Sequence, residues 1–157
     1  MKNKKWRAIY GPKSRRIRDE ELILRFLALY YNFDKYNEPM KDFLNAFMGS
    51  QRKLSKLSGN DFTVLFDNTI NEAYDLFGKE VFRFRKYLTA SVFDAVMIGL
   101  AKRLEKGPIT DRKSAVIAYQ KLVEDVDFVK SSLESTGSNK NVQTRVSLAI
   151  KAFADVK

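Results

Sequence analysis

The chain has no cysteine and no histidine among its 157 residues. Without cysteine there is no disulfide to suit an oxidising compartment, and no thiol nucleophile. Without histidine as well, imidazole acid–base catalysis and the usual zinc ligand sets are excluded. Any chemistry would have to rest on carboxylates, lysine, tyrosine, serine or an oxygen-ligated metal. Long apolar runs are also missing. The longest is Phe26 to Tyr31, far short of the ~20 residues that cross a bilayer. No apolar segment with a cleavage site follows the basic N-terminus, so it does not read as a secretory signal. A cytoplasmic location away from the membrane is the expectation. The sequence also lacks a glycine-rich phosphate loop, a dinucleotide fingerprint, a zinc finger and the aromatic sheet motif of RNA-binding domains.

What is present is ordinary globular material with an unusual charge distribution. Apolar residues make up 45 % and charged residues 31 %, enough for one compact domain with a core rich in its twelve phenylalanines. The net charge is +10. The first 18 residues hold eight basic side chains and no acid, so the other 139 residues carry 21 basic against 19 acidic groups. Residues 1–18 therefore read as a basic arm or linker, broken by Gly11 and Pro12 and extended or loop-like. Residues 19–157 read as a single helical domain. Basic arms of this kind meet nucleic-acid phosphates, or serve as solvated connections. Lys4, Lys5, Arg7, Lys13, Arg15, Arg16 and Arg18 are the candidate phosphate contacts, with Trp6 and Tyr10 placed to stack on bases. Arg83, Arg85 and Lys86, threaded with Phe82, Phe84 and Tyr87, form a second candidate group.

Periodicity predicts helices nearly everywhere else. Asp19 is a good N-cap for a helix reaching Tyr31, apolar nearly all the way round and hence central. Asn37 caps a second helix over 38–48, with Pro39 in its first turn. The polar stretch 50–59 reads as a short helix or loop. A third helix starts at Asn60 or Asp61 and ends before Gly78, and a fourth runs from Thr89 or Ser91 to Lys106. Gly99, inside the fourth, implies a close helix contact, since glycine there costs about 1 kcal/mol against alanine. A fifth region spans 111–134 with a break near Asp125 to Asp127, and a last helix follows Ser138 and Asn139. Val81 to Arg85 alternates briefly and reads as extended. The fold class is all-α: a compact domain of five to seven helices in an orthogonal or bundle-like arrangement.

Few charges stand where chemistry would need them. Arg25 lies within an apolar helix, four residues after Glu21, and the two read as a structural ion pair. Asp94 is embedded among Val92, Phe93, Ala95 and Val96 and reads as a cap or as the partner of an arginine. Glu124, Asp125 and Asp127 are the densest acidic cluster; Glu124 and Asp127, on one helix face, are candidate Mg²⁺ ligands, but solvated surface is the favoured reading. No cofactor, no metal and no catalytic residue is assigned.

Two blocks carry a family resemblance. One runs from Arg16 through Asp19, Glu21 and Leu24-Arg25-Phe26-Leu27-Ala28-Leu29. The other is Pro39-Met40-Lys41, Phe43-Leu44-Asn45 and Phe47-Met48. Together they resemble the helical C-terminal half of the DGQQR-motif, ParB-like family that includes GmrSD-type modification-dependent restriction proteins. Val92 to Met97, and Thr136 through Asn141, Val142 and Arg145, agree less specifically. The likeness covers most of the chain from about Trp6 onward. It implies a role in foreign-DNA restriction or phage defence. In that family the DGQQR half is associated with nucleotide hydrolysis and sensing, and this sequence has no DGQQR run. The resemblance thus implies a non-catalytic helical module that contacts DNA or docks on a separate ParB-like catalytic half, with the basic arm as the junction. The alternative is a protein-interaction or self-association module, a homo-oligomer included, with no nucleic-acid role.

Overall fold

The structure, a computed structural model, describes residues 3–52, 59–84 and 86–157. Most of the polar stretch 50–59, and Arg85, lie outside the described residues. Among the described residues there are eight α-helices: α1 (Lys4–Tyr10), α2 (Arg18–Asn32), α3 (Met40–Gln51), α4 (Gly59–Phe77), α5 (Ala90–Leu104), α6 (Arg112–Glu124), α7 (Val126–Leu133) and α8 (Asn139–Phe153). A 3-10 turn follows α2, and β1 (Arg83–Phe84) pairs antiparallel with β2 (Tyr87–Leu88) in a minimal hairpin. The all-α class holds, with one helix more than the sequence accounts for. No helix among the described residues is long and apolar enough to cross a membrane.

The centre of the domain is α5. Every residue from Ser91 to Ala101 is buried, because helices α2, α4, α7 and α8 pack around it. Its closest neighbour is α8. A Cβ on Gly99 would lie 2.7 Å from the Ala149 carbonyl oxygen and 2.9 Å from the Phe153 ring, so glycine is what lets the two backbones approach. The α2 helix, expected to be central, instead buries Leu22, Phe26, Ala28 and Leu29 and leaves Ile23, Leu24 and Arg25 half-buried. Its neighbours cover part of its circumference only, and its remaining apolar face borders a cleft.

Several ends are built differently from the expectation. Asp19 does not cap α2: Ile17 precedes the helix in a left-handed conformation, and Asp19 sits buried in the first turn. There Asp19 accepts a hydrogen bond from the Ser14 backbone N–H and pairs with Arg7 at 2.9 Å. Asn37 does not cap α3; its side-chain oxygen accepts from Asn139 at 3.0 Å, linking the α2–α3 turn to the start of α8. The break in the fifth helical region is real. Asp125 ends α6 and caps α7 by accepting from the Phe128 N–H. Ser138 caps α8 in the same way through Asn141.

Residues 4–10 are not an extended arm. The Asn3 side chain accepts from the Trp6 N–H and caps α1, while its amide donates to Asp67 and Asn71 of α4. Trp6 is fully buried, packed against Phe66 and Phe93. A large apolar ring and Ile9 on one side of a short helix gain more from the core than from solvent. The segment is therefore part of the domain, and Trp6 is withdrawn from any base.

Candidate nucleic-acid interface

Tertiary packing divides the basic residues of the N-terminal segment into two groups. Lys5 pairs with Asp75 of α4, Arg7 with Asp19, and Lys13 with Glu20. Lys5 and Arg7 fasten the segment to the body, whereas the Lys13–Glu20 pair lies at the exposed surface. Lys4, Arg15, Arg16 and Arg18 are exposed, and none takes part in an ion pair among the described residues. In the hairpin, Arg83 pairs with Glu80 at 2.8 Å and donates to the Lys86 carbonyl, leaving the Lys86 side chain exposed. Arg85 lies outside the described residues. Tyr87, at the hairpin turn, is 79 % exposed.

The two basic groups share one cleft. Arg18 from the start of α2 and Arg83 from β1 line a cavity of about 470 Å³, with Arg25 and Glu21 between them. Tyr10, Leu22, Leu88 and Ala90 line the same cavity, so apolar side chains are interleaved with the charged ones. A second groove of about 420 Å³ runs between α2 and α3 past Leu24, Met40, Lys41 and Met48. Arg25 and Glu21 border both, so this helical turn of α2 is the ridge between two concave surfaces.

Behind the cleft lies a buried charge cluster. Arg25 does not pair with Glu21. Its Nε and Nη2 donate to the two carboxylate oxygens of Asp94 at 3.1 and 2.5 Å. The reason is burial: Asp94 is wholly enclosed in α5 and needs a cation, whereas Glu21 is exposed and solvated. On the far side of Asp94 stands Arg145 of α8, also fully buried, with Nη2 3.6 Å from the same carboxylate. Arg145 Nη1 donates to the carbonyls of Ser131 and Thr136, while its Nε and Nη2 have no hydrogen-bond partner among the described residues.

Burial works against both guanidinium charges. For Arg25 the attraction of Asp94 outweighs it, and the pKa rises above the ordinary arginine value. For Arg145 burial dominates, reinforced by repulsion from Arg25, and the pKa falls. Arginine stays charged under either shift. The cluster thus holds two guanidiniums on one carboxylate.

The remaining candidates do not converge. Glu124 ends α6 and Asp127 lies in α7, on opposite sides of the Asp125 break, so they do not share one helix face. Among the described residues no group of three or more acidic side chains is placed to hold a metal ion. Arg145 is the residue that sequence reasoning undervalued. A signal existed in the two lone opposite charges, Arg25 and Asp94, each inside an apolar helix. Nothing local revealed that one carboxylate serves two arginines.

No protein-family model, curated protein or solved structure matches the chain.

Proposed function

We propose that the protein is a non-catalytic helical module of a restriction or phage-defence-like system, contacting DNA phosphates through Arg15, Arg16, Arg18, Arg83 and Lys86. The observation that carries this reading is that Arg18 and Arg83, 65 positions apart, line one cleft. The exposed Arg15, Arg16 and Lys86 lie next to these arginines in the chain. Tyr87 supplies an exposed ring for stacking beside them. The restriction context comes from the family resemblance. The test is a salt titration with duplex DNA. Affinity falls log-linearly with salt, and replacing Arg15, Arg16 and Arg18 by alanine lowers the slope by roughly 0.9 for each phosphate no longer neutralised. Affinity indifferent to salt overturns the reading.

A docking role, on a separate ParB-like half or a second copy, is favoured by a different observation. Ile17, beside Arg18 in the chain, is 61 % exposed, and burying it against a protein partner is favourable. Monomeric behaviour at high concentration, with no co-purifying protein, counts against it.

A further inference from the structure

We propose that the cleft over Arg25 is a binding pocket for a phosphomonoester carrying a nucleobase-sized body. The proposal centres on Arg25, which the duplex-binding reading does not use, while Arg18 and Arg83 line the same cleft and belong to both. Its cavity, about 470 Å³, lies within the range of small-ligand sites, roughly 300–1,000 Å³.

Two independent observations point to an anion there. The first is the state of Arg25. Its side chain is only 14 % exposed, and Asp94 grips it from behind through Nε and Nη2. That leaves Nη1 without a hydrogen bond among the described residues, on a guanidinium already fixed in orientation. A donor group held rigid before the ligand arrives loses little entropy on binding. The second is the charge balance behind it. Arg25 and Arg145 share the carboxylate of Asp94, and Arg145 Nε has no hydrogen-bond partner among the described residues. An excess positive charge in a low-dielectric interior is costly, and an anion seated on Arg25 offsets it.

The wall composition selects the ligand class. Arg18 and Arg25 line the cavity together with Arg83, whose charge is partly met by Glu80, and this excess of cations suits a phosphate dianion better than a carboxylate. Tyr10, Leu22 and Leu88 line the same cavity and supply apolar surface for a planar body attached to the phosphate. Glu21 in the same wall repels the anion and sets a limit on affinity.

A terminal phosphate of this kind comes from a free nucleotide or from the 5′ end of a strand. Calorimetric titration distinguishes them, using a nucleoside, its 5′-monophosphate, and a short single strand with a 5′-phosphate or a 5′-hydroxyl. Binding of the monophosphate but not the nucleoside identifies the free nucleotide. Preference for the 5′-phosphorylated strand, without binding of the monophosphate, identifies a strand end. Arg25→Gln lowers that affinity roughly tenfold to a hundredfold, and Glu21→Gln raises it several-fold. Should Arg25→Gln fail to fold by circular dichroism, Glu21→Gln, at an exposed position outside the duplex-contact set, carries the test through its gain in affinity. No phosphate preference in either pair, or unchanged affinity in Glu21→Gln, overturns the proposal. Duplex DNA titrated in parallel keeps the two readings separable, because Arg25→Gln and Glu21→Gln leave Arg15, Arg16 and Lys86 intact.

Discussion

Arg25 and Asp94, 69 positions apart on α2 and α5, meet in a two-pronged contact with N–O distances of 3.1 and 2.5 Å. The carboxylate is fully buried, while the guanidinium reaches the edge of two grooves. This link joins the central helix to the helix that borders the candidate site. It also determines where the one partly accessible charge of the cluster stands.

Asp94→Asn removes the carboxylate that Arg25 and Arg145 share. Breaking a buried pair by deleting one partner costs about 3–5 kcal/mol. Urea unfolding followed by circular dichroism is expected to show a loss of this size. A shift under about 1 kcal/mol would mean that water already solvates the arginines.

Gly99→Ala sets helix propensity against packing. Alanine is favoured over glycine within a helix by about 1 kcal/mol. Here its Cβ would meet the Ala149 backbone at 2.7 Å, and a backbone atom cannot swing aside. Overpacking of this kind costs about 1–3 kcal/mol, so the variant melts below the wild type. A higher melting temperature would show that α8 slides away easily.

Trp6→Ala tests whether the N-terminal segment belongs to the fold. The ring is buried against Phe66 and Phe93, and its removal is expected to cost about 3–5 kcal/mol. A detachable arm would give no change in the denaturation midpoint.

Alkaline pH weakens the fold. Burial raises the Tyr30, Tyr31, Tyr36 and Tyr119 hydroxyls above the ordinary tyrosine value of 10.0. Glu105, which accepts the Tyr30 hydroxyl proton at 2.7 Å, raises Tyr30 further. Above about pH 10 the unfolded chain therefore releases protons that the folded chain retains. The unfolded state binds fewer, so stability declines as pH rises from the unfolded value through the higher folded ones. Ultraviolet titration is expected to show these tyrosines ionising at lower pH in denaturant than in buffer.

Glu105 shows the opposite sign at acid pH. Burial pushes its pKa up, but Lys102 and the Tyr30 hydroxyl outweigh that, and the net shift is downward. Its contribution is present above the ordinary value of 4.5 and is lost as pH falls through the lowered one. The carboxylate is nearly half exposed, so solvent screening keeps the effect small. Glu105→Gln is expected to flatten the acid limb of stability slightly, read from midpoints between about pH 5 and 3.

Local signals in the sequence determined most of the helical architecture. Apolar spacing placed α4, α5 and α8, the expected break near Asp125 is real, and Ser138 marked a real helix start, because capping and periodicity act over a few residues. Gly99 likewise announced a close contact, since an interior glycine is tolerated in a helix for a packing reason. Tertiary structure decided what local signals do not encode. It turned a basic arm into a helix docked through Trp6, because burying that ring outweighs leaving the segment in solvent. It gave Asp19 to Arg7 and Arg25 to Asp94 rather than to neighbours in sequence, because a buried charge takes whichever partner the packing delivers. It also brought Arg18 and Arg83 to one cleft, a proximity that depends on how α2 and the hairpin sit against α5.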